Sequence, residues 1–410
     1  MATNNILNNN MVPIEPTVSV TASPPFVGSV GTFYQGASYY DNTYHPSVLI
    51  MSSNLGSSVT ALTSLDLGNV QELSGGIDNG WIGSGGTFYA LTSLTANSLV
   101  NINGAVSGTF TVLTSLSLPS LVNVAGSITG TYTALTSFSF PNLTSIGGLG
   151  ANYPVCTTIS FPSLKNMYSL MSGTYAAATT VSFPLLEYIG GGTNALTFAL
   201  ATSVDFSSLT TVGVPSLATN NLALNFPLMT TVSYPALVNV YGGFLSTVNT
   251  AMTTMNVPNL INVAGLFTLT GSNSLTTLTL TSLSTVGSTF SCSSTSLSTI
   301  DLSAITRLSY NQSSATASIN ITAMTSLANF TLGSALLSAN GNVVITGAAL
   351  TQASVDNILV RLAALDGTGG TTAYSSKTVT LTGGTSAAPS ATGIAAAATL
   401  TARSCTVTHN

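Results

Sequence analysis

Two histidines and ten carboxylates are the groups this chain offers for acid–base or metal chemistry, and their spacing suits neither. His45 and His409 lie near opposite ends, with no HxH or HExxH arrangement to set two imidazoles on one metal. The carboxylates are Glu15, Asp41, Asp66, Glu72, Asp78, Glu187, Asp205, Asp301, Asp356 and Asp366. A glycosidase pair must face each other across roughly 5 Å or a little more. Asp205 and Asp301 occupy equivalent positions of a repeat, but too many copies separate them to act together. No glycine-rich phosphate loop precedes a lysine. Cys156, Cys292 and Cys405 are odd in number and far apart, which argues against a disulfide framework, and Cys156 stands where other copies carry a leucine. The sequence therefore predicts no catalytic residue, no metal ligand and no cofactor site.

Charge narrows the partners. Charged residues make up 4% of the chain, against about 25% in ordinary proteins. Lys165, Arg307, Arg361, Lys377 and Arg403 are too few and scattered to neutralise a phosphate backbone, so nucleic acid is excluded as a partner. A surface of hydroxyls, amides and glycine fits a subunit of an assembly, an extracellular protein or a virion protein. Mean hydropathy is +0.49, yet Ser, Thr, Asn or Gly interrupts every apolar run, so no membrane insertion is expected. The amino-terminal "MATNNILNNNMVPIEPTVSV" has neither a basic flank nor a clean apolar core, and does not read as a secretory signal.

A repeat positions these residues. "LTSLSLPSLVNVAG" from Leu113 recurs as "LTSFSFPNLTSIGG" from Leu135, "CTTISFPSLKNMYS" from Cys156, "ATTVSFPLLEYIGG" from Ala178, "MTTVSYPALVNVYG" from Met229, "MTTMNVPNLINVAG" from Met252 and "LTTLTLTSLSTVGS" from Leu275. Most starts lie 22 or 23 residues apart, which is a solenoid period. The LxL segment alternates as a short strand does, and with the following leucines it fills one interior. One copy leaves an apolar side and strand edges open, and stacking the next copy closes both. Pro119 and its counterparts Pro141, Pro162, Pro184, Pro235 and Pro258 mark strand ends. Glycines such as Gly126, Gly147 and Gly242 suit a second tight bend.

These copies resemble leucine-rich repeats of the bacterial surface-protein kind, and are similar to the receptor L-domain pattern. The resemblance spans roughly residues 60 to 335, without an asparagine ladder and with proline after LxL. It implies a mainly β, right-handed leucine-rich-repeat or β-helix-like solenoid of about 11–12 coils, and a role in adhesion or recognition.

Between the inward leucines, hydroxyls also recur: Thr114, Ser115, Ser117, Thr136, Ser137, Thr157, Thr158, Thr179 and Thr180. Stacked about 4.8 Å apart, they form ladders down one side. Such ladders serve as β-compatible surface, as a contact face for a host glycan or partner protein, or, with sufficient flatness, as an ice-binding face. Phe138, Phe140, Phe161, Phe183, Phe206 and Tyr234 fall on inward positions and are expected in the core. Tyr132, Tyr153, Tyr168, Tyr175, Tyr188 and Tyr241 fall less regularly and are expected partly buried or exposed at turns. Trp81 either caps the core or anchors a partner.

The ends differ from the middle. Residues 1–50 read as a low-complexity arm whose Tyr34, Tyr39, Tyr40 and Tyr44 supply contact area for a neighbouring subunit or attachment partner. Residues 51–340 form the solenoid. Residues 341–410 read as a small α/β cap: "LTQASVDNILVRLAALDG" has helical spacing with Thr351 as N-cap and Gly367 as stop, followed by a strand, an alanine-rich helix and a strand. "LTQASVDNILVRLAALDGTGG" and "LTGGTSAAPSATGIAAAATLTARSCTVTHN" resemble the carboxy-terminal segment of tail-associated and other virion proteins of bacteriophages, with Cys405 in place of the usual tryptophan. That resemblance implies a non-enzymatic structural virion protein, homo-oligomeric or assembled with other virion proteins. The alternative is a receptor- or glycan-binding adhesin module at a bacterial surface.

Overall fold

The computed structural model describes residues 71–73, 76–77 and 90–410, apart from 193, 216–219, 248 and 312–316, together with the strands Ser19–Ala22, Ile50–Met51, Leu62–Asp66 and Thr87–Phe88. It shows a mainly-β, parallel-sheet solenoid of about ten turns with a small α/β cap. The chain forms two compact units, one of residues 1–189 and 197–206, the other of residues 190–196 and 207–410.

In the first unit the LxL segments Ser93–Thr95, Ser115–Ser117 and Ser137–Ser139 pair in parallel, Leu94 against Leu116 and Leu116 against Phe138. Thr158–Ser160, Thr180–Ser182 and Ser203–Asp205 continue the pattern. Leu113, Leu116, Leu118, Leu121 and Val124 are at most 2% exposed, which sets the inward register as the repeat requires. The strands Ser115–Ser117, Ser137–Ser139, Thr158–Ser160 and Thr180–Ser182 each stop before their proline. The chain then turns, with Leu121 N–H donating to Leu118 O at 3.2 Å and Leu143 N–H to Phe140 O at 3.3 Å. After the turn it enters a second parallel sheet through Asn101–Ile102, Asn123–Tyr132, Ser145–Asn152, Asn166–Met167 and Tyr188–Ile189. Against the parallel pairs, Ser19–Ala22 lies antiparallel on Leu62–Asp66.

Two glycines expected at bends do something else. Gly126 and Gly147 lie inside the strands Asn123–Tyr132 and Ser145–Asn152. A Cβ on Gly147 would stand 2.6 Å from the Gly126 backbone, and one on Gly126 2.7 Å from Gly104. Close approach of successive coils, rather than chain reversal, requires them.

The second unit repeats the plan through Thr231–Ser233, Thr254–Asn256 and Thr277–Thr279, again parallel and in register. Its last coil carries the cap. Strand Asn342–Thr346 pairs in parallel with Thr378–Thr382, which pairs in parallel with Thr406–His409. Helices Gln352–Ala363 and Ala391–Ala402 make the crossovers. Thr351 is the N-cap, its hydroxyl accepting from Ser354 N–H at 3.3 Å. Val355, Ile358, Leu359 and Leu362 are fully buried. The helix ends at Ala363, before the expected stop at Gly367. There Arg403 Nη1 donates to the carbonyls of Ala363 and Leu365, at 2.9 and 2.8 Å, complementing the helix C-terminus.

Candidate functional site: the outward faces of the coils

Three hydroxyl ranks flank the LxL strands of the first unit, and they differ in what their donors do. Thr114 is exposed, yet its hydroxyl donates to Thr92 O at 3.1 Å while its own N–H donates to that carbonyl at 2.9 Å. Thr179 repeats the bond to Thr157 O at 3.3 Å, and Thr202 to Thr179 O at 3.4 Å. In the second unit Thr253 and Thr276 do the same, at 3.1 and 3.2 Å. These donors fasten each coil to the one before it and leave only lone pairs facing outward. Thr136 and Thr157 hold the same rank and are exposed. The second rank, Ser115 with Ser137 and Thr158 with Thr180, is exposed and in register from coil to coil. Ser117 is half-buried.

The turns behave like the first rank. Asn142 Nδ2 donates to Pro119 O at 2.8 Å, Ser163 Oγ to Pro141 O at 2.6 Å, and Asn259 Nδ2 to Pro235 O at 2.7 Å. At Asn142, Ser163 and Asn259 the residue after the proline thus ties down the preceding coil's proline carbonyl. On the second sheet Ser145 Oγ donates to Asn123 Oδ1 at 2.7 Å, and Thr285 Oγ1 to Asn262 Oδ1 at 2.6 Å.

The tyrosines separate more sharply than their spacing suggested. Tyr132, Tyr153 and Tyr175 are at most 2% exposed and stack in one interior column with Phe110 and Phe198, whereas Tyr168 is 61% exposed. Tyr188 and Tyr241 are half-buried. The column's members recur at the solenoid period, so the period itself was the available signal. Burial pushes the phenols of Tyr132, Tyr153 and Tyr175 well above their ordinary value. Phe140, Phe161, Phe183, Phe206 and Tyr234 are buried as expected. Phe138 is only half-buried, although its ring lies 5.3–5.5 Å from those of Phe140, Tyr153 and Phe161.

The second unit contains what the repeat pattern lacked on its face, buried asparagines: Asn194, Asn220 and Asn249. Asn249 Oδ1 accepts from Phe226 N–H at 2.5 Å, and its Nδ2 donates to Ser246 Oγ at 2.5 Å and Leu224 O at 3.3 Å.

Among the described residues no group of three or more His, Cys, Asp or Glu could hold a metal ion. Asp205 belongs to the first unit and Asp301 to the second, where Asp301 Oδ1 accepts from Ser303 N–H at 2.9 Å. All three cysteines are buried and free. Burial raises the Cys156 thiol and pushes that of Cys292 up to about 12, which disfavours the nucleophilic thiolate. Among the described residues no helix is long and apolar enough to cross a membrane. Tyr34, Tyr39, Tyr40, Tyr44 and Trp81 lie outside the described residues.

The fold defines a mainly-β parallel solenoid with a small α/β cap. No protein-family model and no curated protein matches the chain. A distant likeness exists to a solved leucine-rich repeat protein from Bacteroides ovatus, at 16% identity over 84% of this chain and 85% of that one, with a TM-score of 0.29.

Proposed function

We propose that this chain is a non-enzymatic binding module whose coil faces meet a receptor or glycan at a bacterial cell surface. The observation that carries the reading is the exposed second rank, Ser115, Ser137, Thr158 and Thr180. These side chains stand in register with their strand partners and outside the backbone-fastening bonds that occupy Thr114 and Thr179. A nearly uncharged array of hydroxyls and amides suits ligands that are themselves hydroxylated or amidic, because each contact exchanges one hydrogen bond with water for another without desolvating a charge. The reading takes the stack of about ten turns as a right-handed, leucine-rich-repeat-like solenoid, fewer than the 11–12 coils expected from the repeat.

The virion role implied by the carboxy-terminal resemblance finds no specific support in the fold, and the surface-binding reading is preferred. The test is attachment of the labelled, intact protein to bacterial cells, immobilised glycans and immobilised surface proteins. Saturable binding that unlabelled protein displaces is expected, and absence of saturable binding to all three would overturn the reading. Light scattering of the same sample reports whether the protein is a homo-oligomer, the partner state both resemblances leave open.

A further inference from the structure

We infer that Lys165, Asn166, Tyr168, Glu187 and Tyr188 form a binding site for a neutral oligosaccharide on the second sheet of the first unit. The inference rests on the recognition reading above and deepens it, giving it a place away from the hydroxyl ladders and a ligand class.

Lys165 and Glu187 hold the same position on consecutive coils, with Glu187 N–H donating to Lys165 O at 2.9 Å. Both side chains are exposed. In a chain with five basic residues and ten acidic ones, an opposite pair on adjacent coils is a concentrated polar feature. Three residues further along the coil from Lys165 stands Tyr168, at 61% the most exposed large apolar side chain among the described residues. The same unit buries three other tyrosines almost completely, so its interior accepts that residue type, and Tyr168 is excluded by its position in the coil.

The ring has a defined setting. Tyr168 N–H donates to Ile146 O at 3.0 Å, which fixes its backbone on the preceding coil. The half-buried Tyr188 ring lies 6.4 Å away, centroid to centroid, at 54°, and braces one side. Asn166 pairs in register with Tyr188, placing a half-buried amide at the foot of the two rings.

This combination matches a pyranose. An exposed aromatic ring offers a flat, weakly hydrated face for the C–H side of a sugar, and a braced ring gives up little conformational freedom on binding. Lysine supplies donors, glutamate acceptors, and amide and phenol both, which is the mixture a ring of hydroxyls needs. Charge selects among sugars. Glu187 opposes an anionic sugar and Lys165 a cationic one, while a neutral sugar meets both favourably. Successive coils lie about 4.8 Å apart, a spacing comparable to one sugar unit in an extended chain, so neighbouring units can contact neighbouring coils.

The test measures binding of the intact protein to immobilised neutral gluco-, galacto- and manno-oligosaccharides, with sialylated and sulfated glycans for contrast. Tyr168→Ala should weaken binding to a neutral oligosaccharide at least tenfold and Lys165→Ala several-fold, with thermal unfolding unchanged. The double variant Ser115→Ala with Ser137→Ala reports on the hydroxyl ladder separately, and the control Ile394→Ala, on an exposed side chain of the cap helix, should bind as the parent does. If Tyr168→Ala binds normally while the serine variant loses affinity, this site is wrong and the recognition reading stands. Preference for anionic glycans, or attachment only to surface proteins, likewise overturns the site alone. Failure to bind any glycan, protein or cell overturns both.

Discussion

The two units fill the same kind of interior in different ways. In the first, an aromatic column runs Phe110, Tyr132, Tyr153, Tyr175 and Phe198, with ring centroids 4.8–5.9 Å apart. Tyr175 donates its hydroxyl to Ser172 O at 3.0 Å, but those of Tyr132 and Tyr153 meet no protein partner. In the second, the column is Phe244, Phe267 and Phe290, at 5.2 and 4.9 Å, with no phenol in it. The polar groups buried there include Asn249, which bonds three neighbours. A parallel stack therefore tolerates polar atoms inside when backbone of the adjacent coil can receive them, and it holds a phenol mainly for the area of its ring.

If both interiors are dry, a charge placed in either should act alike. Leu118→Asp in the first unit and Leu269→Asp in the second each replace a side chain at most 1% exposed. Each should lower unfolding free energy by about 4 kcal/mol or more, since a carboxylate there is neither solvated nor paired. Thermal or denaturant unfolding reads the effect, with the outward Ser115→Asp as reference, expected within about 0.5 kcal/mol. Tolerance of one inward variant but not the other would mean that one interior admits water, and the equivalence would fail.

Much of this architecture was legible because period-two alternation inside a 22-residue period leaves one inward register. Leu113 to Val124 and the α/β order of the cap follow from that and from Thr351. The uses of Gly126 and Gly147 were not legible, since tight bends and close coil approach demand the same residue, and only inter-coil distances separate them. The buried tyrosines were hidden because they fall outside the LxL pattern and look irregular beside it, although positions 110, 132, 153, 175 and 198 repeat on schedule. At the candidate faces, the types of Thr114 and Ser115 were plain. That Thr114 spends its donor on Thr92 while Ser115 faces outward depends on which side of a backbone carbonyl each lies. The juxtaposition of Tyr168 with Lys165 and Glu187 needed the stacking register, because the three residues come from two copies.

The comparison is sharpened by removing the well-bonded polar group. Asn249→Ala deletes the acceptor of Phe226 N–H and the donor to Leu224 O, leaving buried backbone groups unmatched. A loss of about 1–3 kcal/mol is expected. Hydrogen exchange should also locate it, with the Phe226 amide losing protection before its neighbours. An Asn249→Ala protein as stable as its parent would show that the second unit's buried amides are as dispensable as the first unit's phenol hydroxyls.

The opposite change belongs to the first unit. Tyr132→Phe keeps the ring, its stacking on Phe110 and Tyr153, and nearly all of its area, while deleting a hydroxyl with no protein partner. At neutral pH stability should stay level or rise by up to about 1 kcal/mol, since folding no longer strips a hydroxyl of its water. Alkaline pH separates the proteins further. Burial holds the Tyr132 phenol well above its ordinary 10.0, so ionisation occurs preferentially in the unfolded chain. The sign follows: the group's contribution is fully present below pH 10 and is lost as pH rises toward its folded value, by about 1.4 kcal/mol per pH unit. Tyr132→Phe should flatten the fall of stability above pH 10 by that slope, while Phe267→Leu in the second unit should leave it unchanged. Loss of more than about 1 kcal/mol at pH 7 in Tyr132→Phe would mean that the hydroxyl is bonded in solution, and the contrast between the two interiors would vanish.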